Sequence, residues 1–424
     1  MNVGGTVRVP GDKSLTHRAL LFGALAQGTS HVGGCLTSLD ARSTARVLRQ
    51  LGAEVSPLRP DTVVRIRGRR RFRSPAARLD CGNSGTTTRL LLGLLAAHRF
   101  PVTLTGDASL RRRPMRRVTV PLGRMGASFT ELRGEDGLPL RVRGGRLTPL
   151  RYELPVSSAQ IKSALLLAGM AGEVEVALRE PHGRSRDHTE RMLRAFGYGV
   201  EERDGWIAFA PAGKLEPFAM QVPGDPSSAA FLVGAAVLAD SGELRIAGVG
   251  LNPTRTGFLD VLGRMGARIV RENLETRFDE PLGDLVVTPG SLRAAEVAPS
   301  EIPALIDEIP LLAVLASRAE GVSVFRQVGE LRVKESDRLG LVAENLRAVG
   351  GRADVVGDDL HVEGRAAPPI GRVRAGGDHR LAMAFAVLGT LPGARVAVDD
   401  MACAAVSYPG FPEALKAIRG RGRR

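Results

Sequence analysis

Leu122-Gly123-Arg124-Met125-Gly126-Ala127 recurs letter for letter at Leu262–Ala267. Looser copies share the order leucine, two residues, an apolar residue and usually glycine, and they begin at Leu48, Leu122, Leu193, Leu262, Leu346 and Leu415. Successive copies are 74, 71, 69, 84 and 69 residues apart, which indicates a repeat of about 70 residues. Each copy is typical of the last turn of an amphipathic helix that ends in a left-handed glycine.

A second, more apolar helix is predicted ahead of each copy. These helices are expected to begin near Ser14, Ser84, Ser158, Ser228, Glu308 and Asp378. Their bodies have little polar face, so they should be buried on all sides. The sequence therefore predicts an α/β protein of six repeated units, each with a buried helix, a surface helix and strands between them.

The six units group in threes. Val9-Pro10-Gly11-Asp12 recurs as Val222-Pro223-Gly224-Asp225, which is three periods later, and Pro-Gly pairs are good hinge candidates. We therefore expect a first lobe at 12–223 and a second lobe formed by 1–11 plus 224–424, with hinge crossings near 10–12 and 223–225. A solenoid of stacked repeats is the alternative, but solenoid repeats usually have about 20–45 residues.

The charge of the chain is strongly positive. The 424 residues include 59 Lys plus Arg against 45 Asp plus Glu, a formal net charge of +14. Residues 11–223 hold 34 basic and 19 acidic residues, so the excess belongs to the first lobe. Such a balance favours an anionic partner, which could be a nucleic acid, an acidic membrane or small phosphorylated substrates.

Cysteine spacing and hydropathy narrow the class of protein. Cys35, Cys81 and Cys403 lie too far apart in sequence for a disulfide framework or a zinc motif. The N-terminus has no apolar signal segment, and the longest apolar runs have about 11 residues, where a membrane span needs about 20. We expect a soluble cytoplasmic protein.

Cations stand at the predicted starts of the buried helices. Serine and aspartate at these points are explained by helix capping alone. Lys13, Arg18 and Arg89 are not, because a cation is unfavourable at the positive end of a helix dipole. These three residues are therefore candidates for holding an anion, with help from the free N–H groups of the helix ends.

Three charged clusters remain ambiguous on sequence alone. They lie at 111–117, 184–190 and 332–338. Each is compatible with a solvated or salt-bridged helix start as well as with a binding site. In the third cluster, Lys334 and Arg338 are four residues apart and are expected to share a helix face, with Glu335 beside them.

Eight strings, in order along the chain, resemble the 5-enolpyruvylshikimate-3-phosphate synthase family of enolpyruvyl transferases. They are PGDKSLTHRALLFGALA, DCGNSGTTTRLLLGLLA, RRRPM, SSAQIKSALLLAG, SRDHTERML, IDEIPLLAVLA, LRVKESDRL and GGDHRLAM, and they run from Pro10 to about Pro412. The resemblance implies two lobes, each of three βαβαββ units. It also implies addition of the 5-hydroxyl of 3-phosphoshikimate to phosphoenolpyruvate and elimination of phosphate from a tetrahedral intermediate, without a metal or other cofactor.

The resemblance also implies the site residues. Asp307, Glu335 and Lys13 would be catalytic, and which carboxylate handles which proton stays open. Phosphoshikimate would be bound by Lys13, Ser14, Arg18, Ser158, Ala159, Gln160, Arg186, Asp307 and Lys334. Phosphoenolpyruvate would be bound by Lys13, Gly85, Arg113, Gln160, Arg338 and Arg380. Val406 stands where some family members carry a lysine, so a neighbouring arginine substitutes or that contact is missing.

Two other functions compete with this interpretation. The sister enolpyruvyl transferase acts on UDP-N-acetylglucosamine, and it typically carries a reactive cysteine in a loop whose equivalent here, Gly106–Pro114, has none. A nucleic-acid-binding protein would also suit the charge, but the sequence has no helix-turn-helix, zinc spacing or aromatic-studded basic sheet. We expect small-molecule substrates, no nucleic-acid or membrane partner, and a monomer.

Overall fold

The computed structural model describes residues 1–134, 136–181 and 183–420. The strands of this part are β1 (Asn2–Val7), β2 (Gly28–Gly33), β3 (Glu54–Val55), β4 (Val64–Gly68), β5 (Leu79–Asp80), β6 (Pro101–Thr105), β7 (Ser128–Glu131), β8 (Leu140–Arg143), β9 (Leu150–Glu153), β10 (Val176–Arg179), β11 (Gly199–Arg203), β12 (Trp206–Ala210), β13 (Ala219–Gln221), β14 (Ser241–Gly250), β15 (Arg268–Arg277), β16 (Glu280–Thr288), β17 (Glu296–Val297), β18 (Val322–Phe325), β19 (Arg352–Val356), β20 (Asp359–Glu363), β21 (Ile370–Val373) and β22 (Arg395–Val398).

The helices alternate with these strands along the chain. They are α1 (Lys13–Leu25), α2 (Leu39–Gln50), α3 (Gly85–Leu95), α4 (Ala108–Arg111), α5 (Arg116–Arg124), α6 (Ala159–Gly172), α7 (His188–Ala195), α8 (Pro226–Val237), α9 (Gly257–Arg264), α10 (Ile302–Leu305), α11 (Ile309–Ala316), α12 (Arg338–Ala348), α13 (His379–Leu388) and α14 (Phe411–Ala417), with 3₁₀ turns at Ile306–Glu308, Gly329–Val333 and Ala402–Val406. In the described residues, none of these helices is long and apolar enough to cross a membrane.

The chain divides into two compact units, each with its own hydrophobic core. The first unit comprises Gly11–Val222 together with Arg277–Glu280. The second unit comprises Met1–Pro10, Pro223–Thr276 and the residues from Pro281 onward.

The first unit contains three four-stranded sheets of one design. Their strand orders are β13-β2-β4-β3, β5-β6-β8-β7 and β9-β10-β12-β11. In each sheet an outer strand runs parallel to its neighbour, and an antiparallel hairpin completes the other side. The outer strand of the first sheet is β13, which comes from the end of the unit and pairs with β2 in the register Ala219↔His31.

The second unit repeats this design with one difference. Strand β1 runs parallel to β14 at the side of the sheet β1-β14-β16-β15, and a further sheet has the order β17-β18-β20-β19. The last sheet consists of the parallel pair β21-β22 in the part of the chain that the structure describes. The α/β fold class predicted from the sequence is thereby confirmed.

The apolar helices form the two cores. All twelve residues of α8 and all eight of α11 are buried, and so are eleven of the thirteen residues of α1. The amphipathic helices end at the predicted glycines, which adopt positive φ angles of 97°, 112°, 82°, 94° and 86° at Gly52, Gly126, Gly197, Gly266 and Gly350. Glycine adopts this conformation without the steric cost that a Cβ atom imposes.

One local prediction is wrong. Lys334 and Arg338 do not share a helix face, because α12 begins only at Arg338. Asp337 precedes the helix and its carboxylate accepts the backbone N–H of Gly340 at 3.1 Å, so Asp337 is the N-cap. Lys334 follows the 3₁₀ turn Gly329–Val333 in non-helical backbone. Spacing along the sequence could not show where the cap would fall.

Candidate functional site

Three buried helices of the first unit begin with residues predicted to bind anions. The carboxylate of Asp12 accepts the N–H of Leu15 at 2.7 Å and starts α1 at Lys13, while Ser84 accepts the N–H of Thr87 at 3.2 Å and starts α3 at Gly85. Helix α6 begins at Ala159, and within the described residues the Ser158 side chain makes no capping bond. The N-cap side chain therefore does not accept hydrogen bonds from the first backbone N–H groups of α6, and such N–H groups can donate to a bound anion.

Polar contacts between side chains bring these three helix ends together. Arg18 of α1 donates from Nη2 to Ser163 Oγ of α6 at 2.7 Å. Arg89 of α3 donates from Nη1 to the side-chain oxygen of Gln160 on α6, whose amide nitrogen donates to Thr86 at 3.1 Å. Side chains from the first two turns of α1, α3 and α6 are thus hydrogen-bonded to one another within one unit, and the dipole of each helix favours negative charge at its N-terminus.

Lys13 and Arg18 occupy different environments. Lys13 is half-buried, and its ammonium group forms an ion pair with Asp40. Arg18 is 3% exposed, and it also donates from Nε to Thr189 Oγ1 at 2.7 Å and from Nη1 to the carbonyl of Ser14 at 3.0 Å. Each guanidinium nitrogen of Arg18 therefore has a protein partner, so any ligand must bind the remaining N–H groups.

Gly85 lies beside two guanidinium groups. A Cβ atom at Gly85 would lie 3.1 Å from Nη1 of Arg89 and 3.3 Å from Nη1 of Arg113. Arg113 donates from Nη2 to Asn83 Oδ1 at 2.7 Å. Glycine at this position leaves space beside two cations at the start of α3, as the sequence predicts for a residue that lets a ligand approach the backbone.

Arg186 is the remaining basic residue predicted for this unit. It is half-buried, whereas Ser185 and Asp187 on either side are buried. Ser158 and Ala159 are also half-buried at the start of α6. The first unit therefore carries the predicted residues Lys13, Ser14, Arg18, Gly85, Arg113, Ser158, Ala159, Gln160 and Arg186.

Arg338 is the centre of the predicted residues in the second unit. Its Nη1 lies 3.1 Å from Asp307 Oδ1, its Nε lies 2.7 Å from Asp378 Oδ2, and its Nη2 contacts Glu335. Burial by itself would lower the pKa of Arg338, but the carboxylates outweigh burial and raise it. Both predicted catalytic carboxylates are thus bound to one fully buried cation.

Arg380 joins the same group. Its Nη1 donates to the backbone carbonyl of Asp307 at 2.9 Å and to Glu308 Oε1 at 3.2 Å. Glu308 is buried and also accepts a hydrogen bond from Ser227. Asp307, Glu335, Arg338 and Arg380 therefore form one connected cluster, as expected if they serve one reaction.

Lys334 is affected electrostatically by this cluster. Burial lowers the pKa of its ammonium group, and Arg338 lowers it further, while Asp307, Glu330 and Glu335 act in the opposite direction. The net result is a pKa below the ordinary lysine value. Lys334 is therefore a cation that gives up its proton more easily than an exposed lysine.

Sequence reasoning missed residues that hold the predicted ones in place. Asp378 is fully buried and binds Arg338, yet in the sequence it reads as an ordinary helix cap. Thr189 and Ser163 both accept hydrogen bonds from the guanidinium of Arg18, and they lie 171 and 145 residues away from it in sequence. No spacing rule connects such distant polar residues, so tertiary structure was needed to find them.

Comparison with known proteins gives consistent matches over the whole chain. A family model described as EPSP synthase (3-phosphoshikimate 1-carboxyvinyltransferase) matches residues 1–415. A protein of Thermosynechococcus vestitus with the name 3-phosphoshikimate 1-carboxyvinyltransferase is 47% identical over 420 residues, which are 98% of this chain and 95% of the relative. A protein of the same name from Bacillus licheniformis is 42% identical over 415 residues, or 98% and 97% of the two chains.

Solved structures agree in fold. An EPSP synthase from Acinetobacter baumannii superposes with a TM-score of 0.88 at 38% identity, covering 99% of this chain and 96% of that one. The enolpyruvyl transferase NikO from Streptomyces tendae has a TM-score of 0.76 at 20% identity, covering 98% and 95%. The latter likeness concerns the fold alone.

Proposed function

This chain belongs to the EPSP synthase family, and from that premise we propose which of its residues bind the two substrates and which transfer protons. The enzyme is a 3-phosphoshikimate 1-carboxyvinyltransferase of aromatic amino-acid biosynthesis. It transfers the enolpyruvyl group of phosphoenolpyruvate to the 5-hydroxyl of 3-phosphoshikimate and releases phosphate. Neither UDP-N-acetylglucosamine transfer nor nucleic-acid binding is favoured by these relatives.

The reaction requires proton transfers in both of its steps. The 5-hydroxyl oxygen bonds to C2 of phosphoenolpyruvate while the hydroxyl proton passes to a base and the methylene carbon C3 gains a proton from an acid. The tetrahedral intermediate then loses phosphate from C2 and a proton from C3, which restores the double bond. We assign Asp307 and Glu335 to these transfers, with Lys13 as the catalytic cation.

The contact of both carboxylates with Arg338 carries this assignment. Asp307 and Glu335 are ion-paired with Arg338, and a neighbouring positive charge favours the ionised form of a carboxylate. Phosphoenolpyruvate is an anion, and when it binds Arg338 and Arg380 it competes with these carboxylates for the guanidinium groups. Asp307 and Glu335 then lose part of their counter-charge and bind protons more readily, so that one can accept the hydroxyl proton and the other can carry the proton that passes to C3. The buried pair between Arg338 and Asp378 holds the arginine in place.

The anion-binding residues are divided by substrate. Phosphoshikimate is assigned to Lys13, Ser14, Arg18, Ser158, Ala159, Gln160, Arg186, Asp307 and Lys334, and phosphoenolpyruvate to Lys13, Gly85, Arg113, Gln160, Arg338 and Arg380. Support comes from the side-chain contacts that join the N-terminal turns of α1, α3 and α6 in the first unit and from the arginines in these turns. Guanidinium groups suit both phosphate and carboxylate, because they donate two parallel hydrogen bonds.

Substitution of the two carboxylates tests their role. Asp307→Asn and Glu335→Gln should each lower kcat at least about 100-fold, in keeping with the usual contribution of an acid or base. Phosphoshikimate affinity by calorimetry should change far less. Glu344→Gln is the control, since Glu344 is exposed and its oxygen lies 3.9 Å from Arg374. Variants that lost affinity at unchanged kcat would contradict the assignment.

The assay itself separates the competing functions. Phosphate release from phosphoenolpyruvate should depend strictly on added 3-phosphoshikimate. Release that depended instead on UDP-N-acetylglucosamine would support the sister transferase. Salt-sensitive binding of polynucleotide without any turnover would support a nucleic-acid-binding protein.

We also propose that the enzyme acts as a cytoplasmic monomer without a nucleic-acid partner. The three cysteines are free thiols in the structure, which suits a reducing compartment. Burial raises the pKa of Cys35 and of Cys81 to about 12, so neither thiol is readily ionised. Light scattering of the purified enzyme at working concentration measures its mass and tests the monomer directly.

A further inference from the structure

Arg186 projects from an otherwise buried segment. Of the six residues 185–190, five are buried and Arg186 alone is half-buried. Residues 185–187 precede α7 and residues 188–190 form its first turn, and each polar side chain that is buried here must find a partner away from water. The segment is therefore held by specific contacts, and these contacts determine where Arg186 lies.

Lys162 of α6 makes the central contacts. Its side chain is 0% exposed, and its Nζ lies 2.9 Å from Glu180 and 2.8 Å from Glu190. Nζ also donates to the backbone carbonyl of Ser185 at 3.1 Å, while Glu180 accepts the backbone N–H of Ser185 at 3.1 Å. Lys162 and its partner Glu180 thus hold both backbone polar groups of the residue that precedes Arg186.

The next residue of α6 extends this network to Arg18. Ser163 Oγ accepts from Nη2 of Arg18 and from Oγ1 of Thr189, each at 2.7 Å. Thr189 in turn accepts from Nε of Arg18 at 2.7 Å. Two consecutive residues of one buried helix therefore hold Arg18 and the segment that carries Arg186.

Electrostatic effects explain why Arg18 and Arg186 must be held in position by other residues. Burial lowers the pKa of Arg18 to about 10, Glu190 opposes this effect, and Arg186 adds to it. The positive charge of Arg186 therefore acts on Arg18 as a like-charge repulsion. Glu190 counters that repulsion and is itself bound by Lys162, whose pKa is raised because Glu190 and Glu180 outweigh the effect of burial.

The far side of the segment is also anchored. His188 Nδ1 lies 2.7 Å from Glu280 Oε1, and both side chains are buried. Glu280 is the last residue of the short segment Arg277–Glu280, which belongs to the first unit. In this segment the ring of Phe278 packs against the ring of Phe196, with 6.0 Å between the ring centroids. The segment is consequently held on one side by α6 and on the other by residues 277–280.

We propose that Lys162 is a positioning residue for 3-phosphoshikimate. It holds Arg186 at a fixed place relative to Arg18, so that two guanidinium groups that repel each other are ready for an anionic substrate. This inference rests on the proposed function, which assigns both arginines to phosphoshikimate. Lys162 itself touches no substrate, because its ammonium group is completely enclosed by protein.

Lys162→Met is the first test, since methionine keeps much of the length without the charge. We expect the Kd and KM for 3-phosphoshikimate to rise about 10- to 100-fold, the equivalent of one to two lost charge-assisted hydrogen bonds. The KM for phosphoenolpyruvate at saturating phosphoshikimate should change less than about threefold. Lys162→Arg keeps the positive charge and should therefore retain most of the wild-type affinity for 3-phosphoshikimate. Lys214→Met is the matched control, because Lys214 of the same unit is exposed and pairs with Glu216.

A double-mutant cycle with Arg186→Ala shows whether Lys162 acts through Arg186. In the Arg186→Ala background, Lys162→Met should cause little further loss of phosphoshikimate affinity. Fully additive losses would overturn the inference, and so would a folded Lys162→Met enzyme with unchanged affinity. An Arg186→Ala enzyme with normal phosphoshikimate affinity would instead refute the assignment of Arg186 in the proposed function.

Removal of Lys162 leaves two buried carboxylates without their cation, which commonly costs several kcal/mol of stability. If Lys162→Met does not fold, the variant Lys162→Met/Glu180→Gln/Glu190→Gln replaces it, because it leaves no unpaired carboxylate at positions 180 and 190, while Asp12 and Glu280 still favour the charged form of Arg18. The same measurements then apply. A folded triple variant with wild-type phosphoshikimate affinity overturns the inference, and a selective loss that disappears in the Arg186→Ala background supports it.

Discussion

Arg338 Nε lies 2.7 Å from Asp378 Oδ2, and both side chains are almost completely shielded from solvent. Asp378 also accepts hydrogen bonds from Ser336 at 3.1 Å and from the backbone N–H of Arg380 at 3.0 Å. The same carboxylate thus holds Arg338, caps α13 and binds the segment before α12. This arrangement ties the position of Arg338 to the fold of the second unit.

Asp378→Asn should therefore destabilise the protein as well as weaken catalysis. Loss of one partner of a buried pair commonly costs about 3–5 kcal/mol, although Asp307 and Glu335 still compensate Arg338. Urea denaturation measures the loss, with Asp354→Asn as the control, since Asp354 is 80% exposed and lies 3.9 Å from Arg347. Equal stability of the two variants would contradict a structural role for Asp378.

Lys334 should impose an alkaline limit on phosphoshikimate affinity. Because its pKa is lowered, Lys334 loses its proton at a lower pH than an ordinary lysine does. Affinity measured from pH 7 to 10 should fall as the pH rises. Lys334→Arg should remove this fall, because arginine stays charged throughout the range. Lys416→Arg at an exposed position serves as the control, and an identical pH profile for Lys334→Arg and wild type would count against the prediction.

Gly85→Ala should weaken phosphoenolpyruvate selectively. The added methyl carbon would lie 3.1 Å from Arg89 and 3.3 Å from Arg113, so both guanidinium groups must shift by a few tenths of an ångström. A displacement of this size should raise the KM for phosphoenolpyruvate about 3- to 10-fold. Gly123→Ala is the matched control, since its methyl group would meet no atom within 4 Å. An unchanged KM would show that Gly85 is not beside the bound substrate.

His17 should make the fold sensitive to acid. Burial lowers its pKa from 6.5 to about 3, and its Nδ1 lies 2.7 Å from Thr44 Oγ1. Between these two pH values the unfolded chain binds a proton that the folded chain does not, so stability falls as the pH falls. The slope contributed by this residue approaches about 1.4 kcal/mol per pH unit.

His17→Gln should remove this slope from the free energy of unfolding measured between pH 6.5 and 4. The exposed His31 provides the control variant, His31→Gln. If both variants retained the wild-type slope, other groups would account for the acid sensitivity.

The sequence predicts the helices well and the pairing of distant strands poorly. The glycine endings and the apolar bodies are local signals, and the predicted starts of the buried helices lie within two residues of α1, α3, α6, α8, α11 and α13. No local signal indicates that β13 joins β2, or that residues 277–280 belong with the first unit. Such pairings depend on the closure of long loops, which residue periodicity does not encode.

The candidate site shows the same division. Motif resemblance identifies Asp307, Glu335 and Arg338, and the structure brings these three residues into contact. Lys162 and Asp378 also lie within quoted strings, SSAQIKSALLLAG and GGDHRLAM, but the sequence gives them no such role, because their ion pairs are with residues outside those strings. Tertiary contacts, and not membership of a motif, therefore indicate that a residue holds another one in place.

The parallel pairing of β13 with β2 has a consequence for synthesis on the ribosome. Strand β2 ends at Gly33 and its partner begins at Ala219, about 190 residues later. At about 5–20 residues per second, the first sheet of the nascent chain keeps an open edge for roughly 10–40 s. The interval between the synthesis of strand β1 and that of its partner β14 is longer still. Unpaired strand edges favour association with other chains, so the newly made protein is most vulnerable to aggregation, and most dependent on chaperones, before residue 221 emerges.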